Sequence, residues 1–142
     1  MPPSDEQKHT EDSRDGQQLA IVAESLYVAN LLILPFAAFL VLVIVFLKKH
    51  GSAPPLGRSH LEQTIAASIG IAIMFFACAG IIVLLRSWGL QDVGIWMIVV
   101  IVFTIIHATM VLFGVLGLAK AMAGKCWRYP LFGTALPSDC PR

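Results

Sequence analysis

Three long uncharged segments occupy most of the chain, and the polar residues are gathered at its two ends and in the short stretches between these segments. No charged side chain lies within residues 25–47, 63–85 or 93–119. Each segment has about 20 residues or more, enough at a rise of about 1.5 Å per residue to cross a hydrocarbon core of about 30 Å. Residues 41–47 and 95–106 are apolar on every face, whereas the helices of a soluble domain keep a polar stripe. The pattern predicts three transmembrane helices.

The predicted fold class is an all-α integral membrane protein. Nothing at the N-terminus has the basic and apolar regions of a secretory signal, and the polar, acidic composition there is typical of disorder. The predicted segments are a disordered acidic tail at 1–18, transmembrane helices at 19–47, 60–85 and 93–123, a cytoplasmic loop at 48–59, a short outer loop at 86–92, and an interfacial segment with a tail at 124–142.

Two local patterns refine the first two helices. Pro35 lies inside the first uncharged segment and predicts a bend in helix one, because proline removes a backbone donor. Ser59 and Glu62 have the S-x-x-E spacing of a capping box, which predicts that helix two begins at this point. Glu62 therefore has a predicted structural role.

The positions of the basic residues predict the orientation, since lysine and arginine favour cytoplasmic loops. The first loop and the segment after the third helix share a side when there are three crossings, and they contain Lys48, Lys49, Arg58, Lys120, Lys125, Arg128 and Arg142. The opposite side holds Lys8, Arg14 and Arg86. This distribution predicts a cytoplasmic C-terminus and an N-terminus outside.

The aromatic residues agree with the same boundaries, because Trp and Tyr favour the level of the headgroups. Tyr27, Trp88 and Trp96 are predicted in the outer belt, with Glu24 at the outer water boundary, and Trp127 and Tyr129 in the inner belt. Composition is consistent with a lipid environment, since 57% of residues are hydrophobic and 13% are charged, against about a quarter charged in soluble domains.

Polar groups inside the predicted spans are the first candidates for function. Asn30 can hydrogen-bond to another helix, and His107 can bind a proton or metal or simply hydrogen-bond to a carbonyl or to Thr104. No second deep histidine accompanies His107 for haem, and no close pair of cysteines offers a zinc site. We therefore predict no catalytic residue, no metal and no cofactor.

The cysteines follow from the predicted orientation. Cys78 is predicted as a small apolar residue of helix two, and Cys126 and Cys140 as free thiols in a reducing compartment. Cys126 lies at a helix end, where palmitoylation is an alternative.

Two cytoplasmic stretches carry a family resemblance: residues 48–65, with an R-x-H-x-x-Q core at Arg58, His60 and Gln63, and GKCWRYPLFG at residues 124–133. Together they resemble the small bacterial membrane proteins related to the chloroplast import component of the Tic-twenty type. The resemblance implies a protein of the bacterial inner membrane, and the plant relatives imply a role in translocation. The residues of these motifs are predicted to contact partners or anionic lipid headgroups: Arg58, His60, Gln63, Lys125, Trp127, Arg128 and Tyr129.

Three functions remain open from the sequence. The favoured one is a non-enzymatic subunit or scaffold of a membrane assembly, surrounded by lipid and bound to other membrane proteins or to copies of itself. The alternative is a component of a transport or protein-translocation channel. The third is an enzyme or redox subunit that binds a headgroup or quinone near Arg58 and His60. No nucleic-acid partner is predicted.

Overall fold

The computed structural model describes residues 5–89 and 92–141, and within them it is entirely helical apart from turns and one irregular C-terminal segment. The helices are α1, Asp5–Leu32; α2, Ala37–Lys49; α3, Pro55–Ser87; and α4, Val93–Met122. Residues 123–141, called here the C-terminal segment, follow α4 without further helix. The all-α prediction is confirmed for the described residues.

Residues 19–47 form two antiparallel helices, where the sequence predicts one bent span. The chain reverses between Leu32 and Ala37, at Pro35 and Phe36, and Phe36 has a φ of 70°. The Asn30 side chain holds the reversal, because its Oδ1 accepts from the Phe36 amide at 3.1 Å. Asn30 therefore bonds within its own turn, whereas the sequence suggested a bond across to another helix. We call α1, α2 and this turn the hairpin, and residues 32–36 its tip.

Both ends of the hairpin lie at the same end of the molecule. A Cβ added to Gly16 would sit 3.0 Å from the Pro54 Cβ, so α1 passes directly beside the start of α3. Gln17 Nε2 donates to the Met122 carbonyl at the end of α4, at 2.7 Å. We call this end the base: residues 14–18, the loop 50–54 and the C-terminal segment. The three-span prediction differs here, because it placed the start of helix one opposite the first loop.

Residues 5–18 are helical, where a disordered tail was predicted. Their helix continues into residues that pack at the base, since Ala20 is fully buried with Leu56 and Ala121, and Leu19 lies against Gly57. Tertiary packing of the residues that follow thus stabilises a helix that extends back into a segment whose composition alone favours disorder. Residues 1–4 of the predicted tail lie outside the described residues.

Two helices are long and apolar enough to cross a membrane, α3 with 33 residues and α4 with 30. In each helix, only 11% of the most apolar stretch of 18 residues is buried, whereas the core helices of a soluble protein are mostly buried. α2 has 13 residues, or about 20 Å, and is shorter than a hydrocarbon core of about 30 Å. The described part of the chain therefore has two candidate spans, where three were predicted.

The hairpin packs only on the base halves of α3 and α4. Buried positions of α3 run from Leu56 to Gly70, and those of α4 from Met110 to Ala121. Beyond Gly70 and before Met110, the two helices project as a bare apolar pair.

The helix starts differ from the predicted capping box. α3 begins at Pro55, five residues before the predicted start, because proline at the first helical position is already set to a helical φ. Ser59 therefore lies inside the helix, and its Oγ has no hydrogen-bond partner among the described residues. Asp92 caps α4, with its Oδ1 accepting from the Gly94 amide at 3.1 Å.

Candidate functional site

Three polar side chains from distant parts of the chain meet in the interior near the base. Glu24 of α1 and His60 of α3 are both 0% exposed, and Tyr129 of the C-terminal segment is 1% exposed. His60 Nδ1 lies 2.6 Å from Glu24 Oε1, and the Tyr129 hydroxyl donates to Glu24 Oε2 at 2.6 Å. One carboxylate thus joins two helices and the C-terminal segment; we call Glu24, His60 and Tyr129 the latch.

The second nitrogen of His60 fixes where the protons lie. His60 Nε2 donates to the Lys125 carbonyl at 3.0 Å, and a carbonyl can only accept, so Nε2 carries a hydrogen. A second hydrogen lies between Nδ1 and Glu24 Oε1. Whether that hydrogen is bonded to the nitrogen or to the oxygen, the net charge of the His60–Glu24 pair is zero. Both imidazole nitrogens are occupied and buried, so His60 has no nitrogen available to a substrate.

Gln63 extends the latch along the C-terminal segment. Its Nε2 donates to the carbonyl and the hydroxyl oxygen of Thr134 at 2.8 and 3.0 Å. Its Oε1 accepts from the Tyr129 amide at 3.4 Å. Since Gln63 is 0% exposed, its own amide would be buried without partners if the C-terminal segment did not lie against it.

Glycines allow these side chains to approach so closely. A Cβ on Gly117 of α4 would lie 2.5 Å from Glu24 Oε2, and a Cβ on Gly114 would lie 2.8 Å from the Tyr27 ring. On α3, the Phe132 ring covers Gly70 and leaves no room for a side chain there. The Glu24 carboxylate therefore occupies space that a side chain at Gly117 would fill.

Burial and charge act together on Tyr129. Desolvation raises the pKa of its phenol well above the ordinary value, and the neighbouring Glu24 carboxylate raises the pKa further. Tyr129 therefore remains a neutral donor throughout the physiological pH range.

The predicted contact residues separate into buried and exposed groups. His60, Gln63 and Tyr129 are buried and bond to one another or to the chain, so they hold the fold together and present no surface to a partner. Trp127 is half-buried and packs beside Tyr27 and Tyr129. The exposed members are Arg58, Lys125 and Arg128. The two motifs that were predicted to share one face do meet at the base.

Glu62 belongs to a separate cluster at the rim. Its Oε1 accepts from His50 Nε2 at 2.7 Å and from Arg58 Nε at 3.0 Å, and all three side chains are partly exposed. The predicted bond from Glu62 back to Ser59 is replaced by these contacts, because the helix begins earlier.

The predicted outer aromatic belt is corrected at Tyr27. Its ring lies edge-on to Tyr129, with ring centroids 5.3 Å apart, so the two tyrosines assigned to opposite belts are neighbours. Glu24 likewise lies near the base, in contact with Tyr129 of the C-terminal segment, and not at the opposite boundary. The signal that identifies Glu24 from sequence is its isolation, since no other Asp or Glu occurs between residues 16 and 61.

His107 lies apart from the latch, on the bare half of α4. It is partly exposed and stacks on Phe103, with ring centroids 5.8 Å apart. The Thr104 hydroxyl donates to the Val100 carbonyl at 2.8 Å and so does not donate to His107. Among the described residues, no three His, Cys, Asp or Glu side chains converge as metal ligands.

Cys126 and Cys140 form a disulfide, which corrects the prediction of free thiols. The C-terminal segment turns back on itself, so the two Cα atoms lie 6.0 Å apart, within bridging distance. Both residues are buried against Ala20, Leu56 and Ala121, and Cys126 is therefore closed to palmitoylation in this state. Cys78 is a free thiol on α3.

The comparison with protein families identifies one that spans nearly the whole fold. The model of the MamF/MmsF family, described as the magnetosome magnetite crystal formation protein family, matches residues 15–136. The range includes the hairpin from Asp15 onward, both candidate spans, and the C-terminal segment through Leu136. Neither the curated proteins nor the solved structures give a match.

This match shows that the resemblance to Tic-twenty-like proteins is wrong. The two motifs on which that resemblance rested are parts of the latch and its surroundings, and degenerate motifs at a helix boundary recur in unrelated membrane proteins because the same residue types suit the same interface. The expected translocation role has no support from the family found.

Proposed function

Because the chain belongs to the magnetosome magnetite crystal formation protein family, we propose that it is a non-enzymatic subunit of an assembly in the magnetosome membrane. The observation that carries the proposal is the match over residues 15–136, which extends over the latch and both candidate spans. The matched range covers most of the described fold, which supports a role in magnetosome formation.

The geometry supports a structural role for the polar residues. Glu24, His60, Gln63 and Tyr129 are saturated by one another and by backbone groups, so their chemistry fixes the C-terminal segment to the hairpin. In this proposal, the latch holds the surface of the base in a defined shape, and the protein contacts its partners in the assembly through that surface.

The proposed orientation places the base on the cytoplasmic side. All of the ten Lys and Arg residues except Arg86 precede residue 59 or follow residue 119, and so belong to segments that lead into or out of the base. Such asymmetry favours a cytoplasmic location for the basic end. The Cys126–Cys140 disulfide is then shielded from cytoplasmic reductants by its burial against Ala20, Leu56 and Ala121. The N-terminus and the C-terminus then share the cytoplasmic side, with two crossings between them.

The exposed cations at the base are the proposed contacts. Arg58, Lys125 and Arg128 extend from the surface that the latch holds in place. They suit anionic headgroups or the acidic surface of another subunit, and each such interaction is screened by salt. The surrounding partners are the lipid bilayer and other membrane proteins, or further copies of the chain.

A deletion and complementation experiment in a magnetosome-forming host tests the proposal. We expect loss of the gene to change magnetite crystal size or number in electron micrographs, and the wild-type gene to restore them. The tagged protein should appear in the magnetosome membrane fraction and leave it, under gentle detergent, as part of a complex. Normal crystals in the deletion strain, together with a partner-free monomer, would contradict the proposal.

A charge reversal tests the base surface within the same host. Lys125→Glu should weaken complementation and complex recovery, because its side chain is exposed and only its carbonyl bonds to His60. The matched control is Arg86→Glu, an exposed cation at the opposite end of α3. Equal complementation by the two variants would remove Lys125 from the contact surface.

A further inference from the structure

The hairpin tip is an apolar surface that faces no other described part of the chain. Leu32, Ile33, Leu34 and Phe36 are all more than half exposed, and the outer face of α2 continues the surface through Leu40, Val41, Ile44 and Leu47. Lys48 and Lys49 follow where this surface ends. An apolar surface bounded by lysines at one end has the charge pattern of a segment that enters a bilayer from one side.

The tip ends well short of the far side of the membrane. Glu24 lies level with His60, and α1 continues for eight residues to Leu32, about 12 Å farther. From the same level, α3 continues to Ser87, about 40 Å away. Leu31 packs in the same cluster as Ile71, near the middle of α3, which agrees with this depth. The hairpin therefore accompanies the spans through one leaflet only.

Phe36 gives a second, independent sign that the tip has a role outside the fold. It is the one described non-glycine residue with a positive φ, at 70°, a conformation that strongly favours glycine. Its side chain is nonetheless large, apolar and 76% exposed, so packing within the chain does not account for it. Strain that persists beside an exposed side chain points to a function for that side chain.

The two halves of the molecule consequently differ in cross-section. Among the described residues, four helices and the C-terminal segment fill the base half, and the bare parts of α3 and α4 alone fill the far half. Each helix with its side chains is about 10 Å wide, so the hairpin alone adds the width of two helices to one leaflet. A shape that is wider in one leaflet fits a membrane that is convex on that side.

We propose that the protein is a membrane wedge: the hairpin inserts Phe36 and its neighbours among the acyl chains of the base-side leaflet, and the protein accumulates where that leaflet is convex. The surface that binds is the tip and the outer face of α2, and its partner is lipid. The inference rests on the membrane location proposed above but not on any role in crystal growth.

Membrane tubes pulled from giant vesicles test the wedge directly. The full chain, with Cys78→Ser, is reconstituted into vesicles of phosphatidylethanolamine and phosphatidylglycerol and labelled from outside with an impermeant dye. A Ser52→Cys label marks molecules whose base faces outward, and a Ser87→Cys label marks the opposite orientation; both serines are exposed. We expect the first population to be enriched in the tube by about twofold or more and the second to be depleted. Equal ratios for both labels would overturn the proposal.

The variant Phe36→Gly separates insertion from folding. Glycine accepts the positive φ, so the protein should be as stable as the wild type or more stable, while enrichment in the tube falls toward one. The control Phe76→Gly removes an aromatic of similar exposure, 67% against 76%, from the bare half of α3 and should leave the enrichment in place. If Phe36→Gly instead changes the number of subunits per complex and leaves enrichment unchanged, the tip is a protein contact and the wedge is wrong. Failure of this test would leave the complementation result unaffected.

Discussion

Glu24 decides how the interior of this protein is organised. A buried carboxylate is stable only when hydrogen-bond donors surround it, and here both oxygens are used, at 2.6 Å each, by His60 and Tyr129. Because the latch residues come from α1, α3 and the C-terminal segment, one side chain links parts of the chain that are 36 and 105 residues apart.

Replacing Glu24 by Gln tests the latch at nearly constant volume. The amide oxygen can still accept from Tyr129, and the amide nitrogen can donate to Nδ1 of a neutral His60, so both partners are kept but without the charge of the carboxylate. We therefore expect the free energy of unfolding to fall by about 1–2 kcal/mol. The measurement is chemical or thermal unfolding in detergent, followed by circular dichroism. Glu11→Gln, on the exposed part of α1, is the control and should change little. Equal stability of the two variants would show that the latch does not hold the fold.

Tyr129 gives the latch a defined pH dependence. Its pKa is raised in the folded protein, whereas an unfolded tyrosine ionises near pH 10, so the unfolded state alone releases a proton above about pH 10. The contribution of Tyr129 to stability is complete below that pH and decreases as the pH rises further. Tyr129→Phe should therefore cost about 1–2 kcal/mol near neutrality, and its difference from wild type should shrink in alkali. A constant difference from pH 8 to about pH 11 would contradict the raised pKa.

At the scale of the elements, the close contact between α1 and α4 depends on missing side chains. Gly114 and Gly117 face Tyr27 and Glu24, and in both places a Cβ would overlap the facing side chain. Helix propensity favours alanine over glycine, so their presence inside α4 reflects packing and not local preference.

Gly117→Ala and Gly80→Ala form a matched pair on the two candidate spans. At Gly117 the new Cβ would lie 2.5 Å from Glu24 Oε2, and we expect a loss of about 1–3 kcal/mol from overpacking and displacement of the carboxylate. At Gly80 nothing lies within 4 Å, so alanine should be neutral or slightly stabilising. The same unfolding assay compares them, and a harmless Gly117→Ala would mean that α4 does not approach Glu24 this closely.

The elements also show what the sequence predicts and where it fails. The long apolar faces of α3 and α4 and the start of α4 at residue 93 follow from local composition. The reversal at Pro35 does not, because an uncharged run of residues has the same hydropathy whether it continues or turns back. The turn depends on the Asn30 bond to Phe36 and on packing of Ala23 against Leu42 and Leu61, both of which are tertiary.

The latch was beyond the sequence for the same reason. The sequence predicts that His60, Gln63 and Tyr129 lie near one membrane face, but the single carboxylate at residue 24 has no sequence neighbour that reveals its partners. If helix one is a full span, Glu24 lies at the opposite boundary. The predicted third crossing thus places both Glu24 and Tyr27 on the wrong side of the membrane.

For the molecule as a whole, the reversal changes the number of crossings and therefore the sides on which its segments lie. With three spans, residue 13 shares a side with residue 87, and residue 52 lies opposite. In the structure, α1 passes beside Pro54, so Ser13 and Ser52 belong to the same end and Ser87 to the other. The basic residues agree with the second arrangement, because Arg86 is then the one Lys or Arg at the far end among the described residues.

Single-cysteine labelling in intact cells distinguishes the two arrangements. Ser13→Cys, Ser52→Cys and Ser87→Cys are all exposed positions, introduced singly into a chain with Cys78→Ser. Cys126 and Cys140 remain, since they are paired and buried, and the chain without an added cysteine is the blank. With an impermeant maleimide applied from outside, we expect position 87 to react and positions 13 and 52 to be protected until the membrane is opened. Reaction at positions 13 and 87 but not 52 would support the three-span arrangement and show that the hairpin does not form. Reaction at positions 13 and 52 but not 87 would support the fold and show that its orientation is inverted.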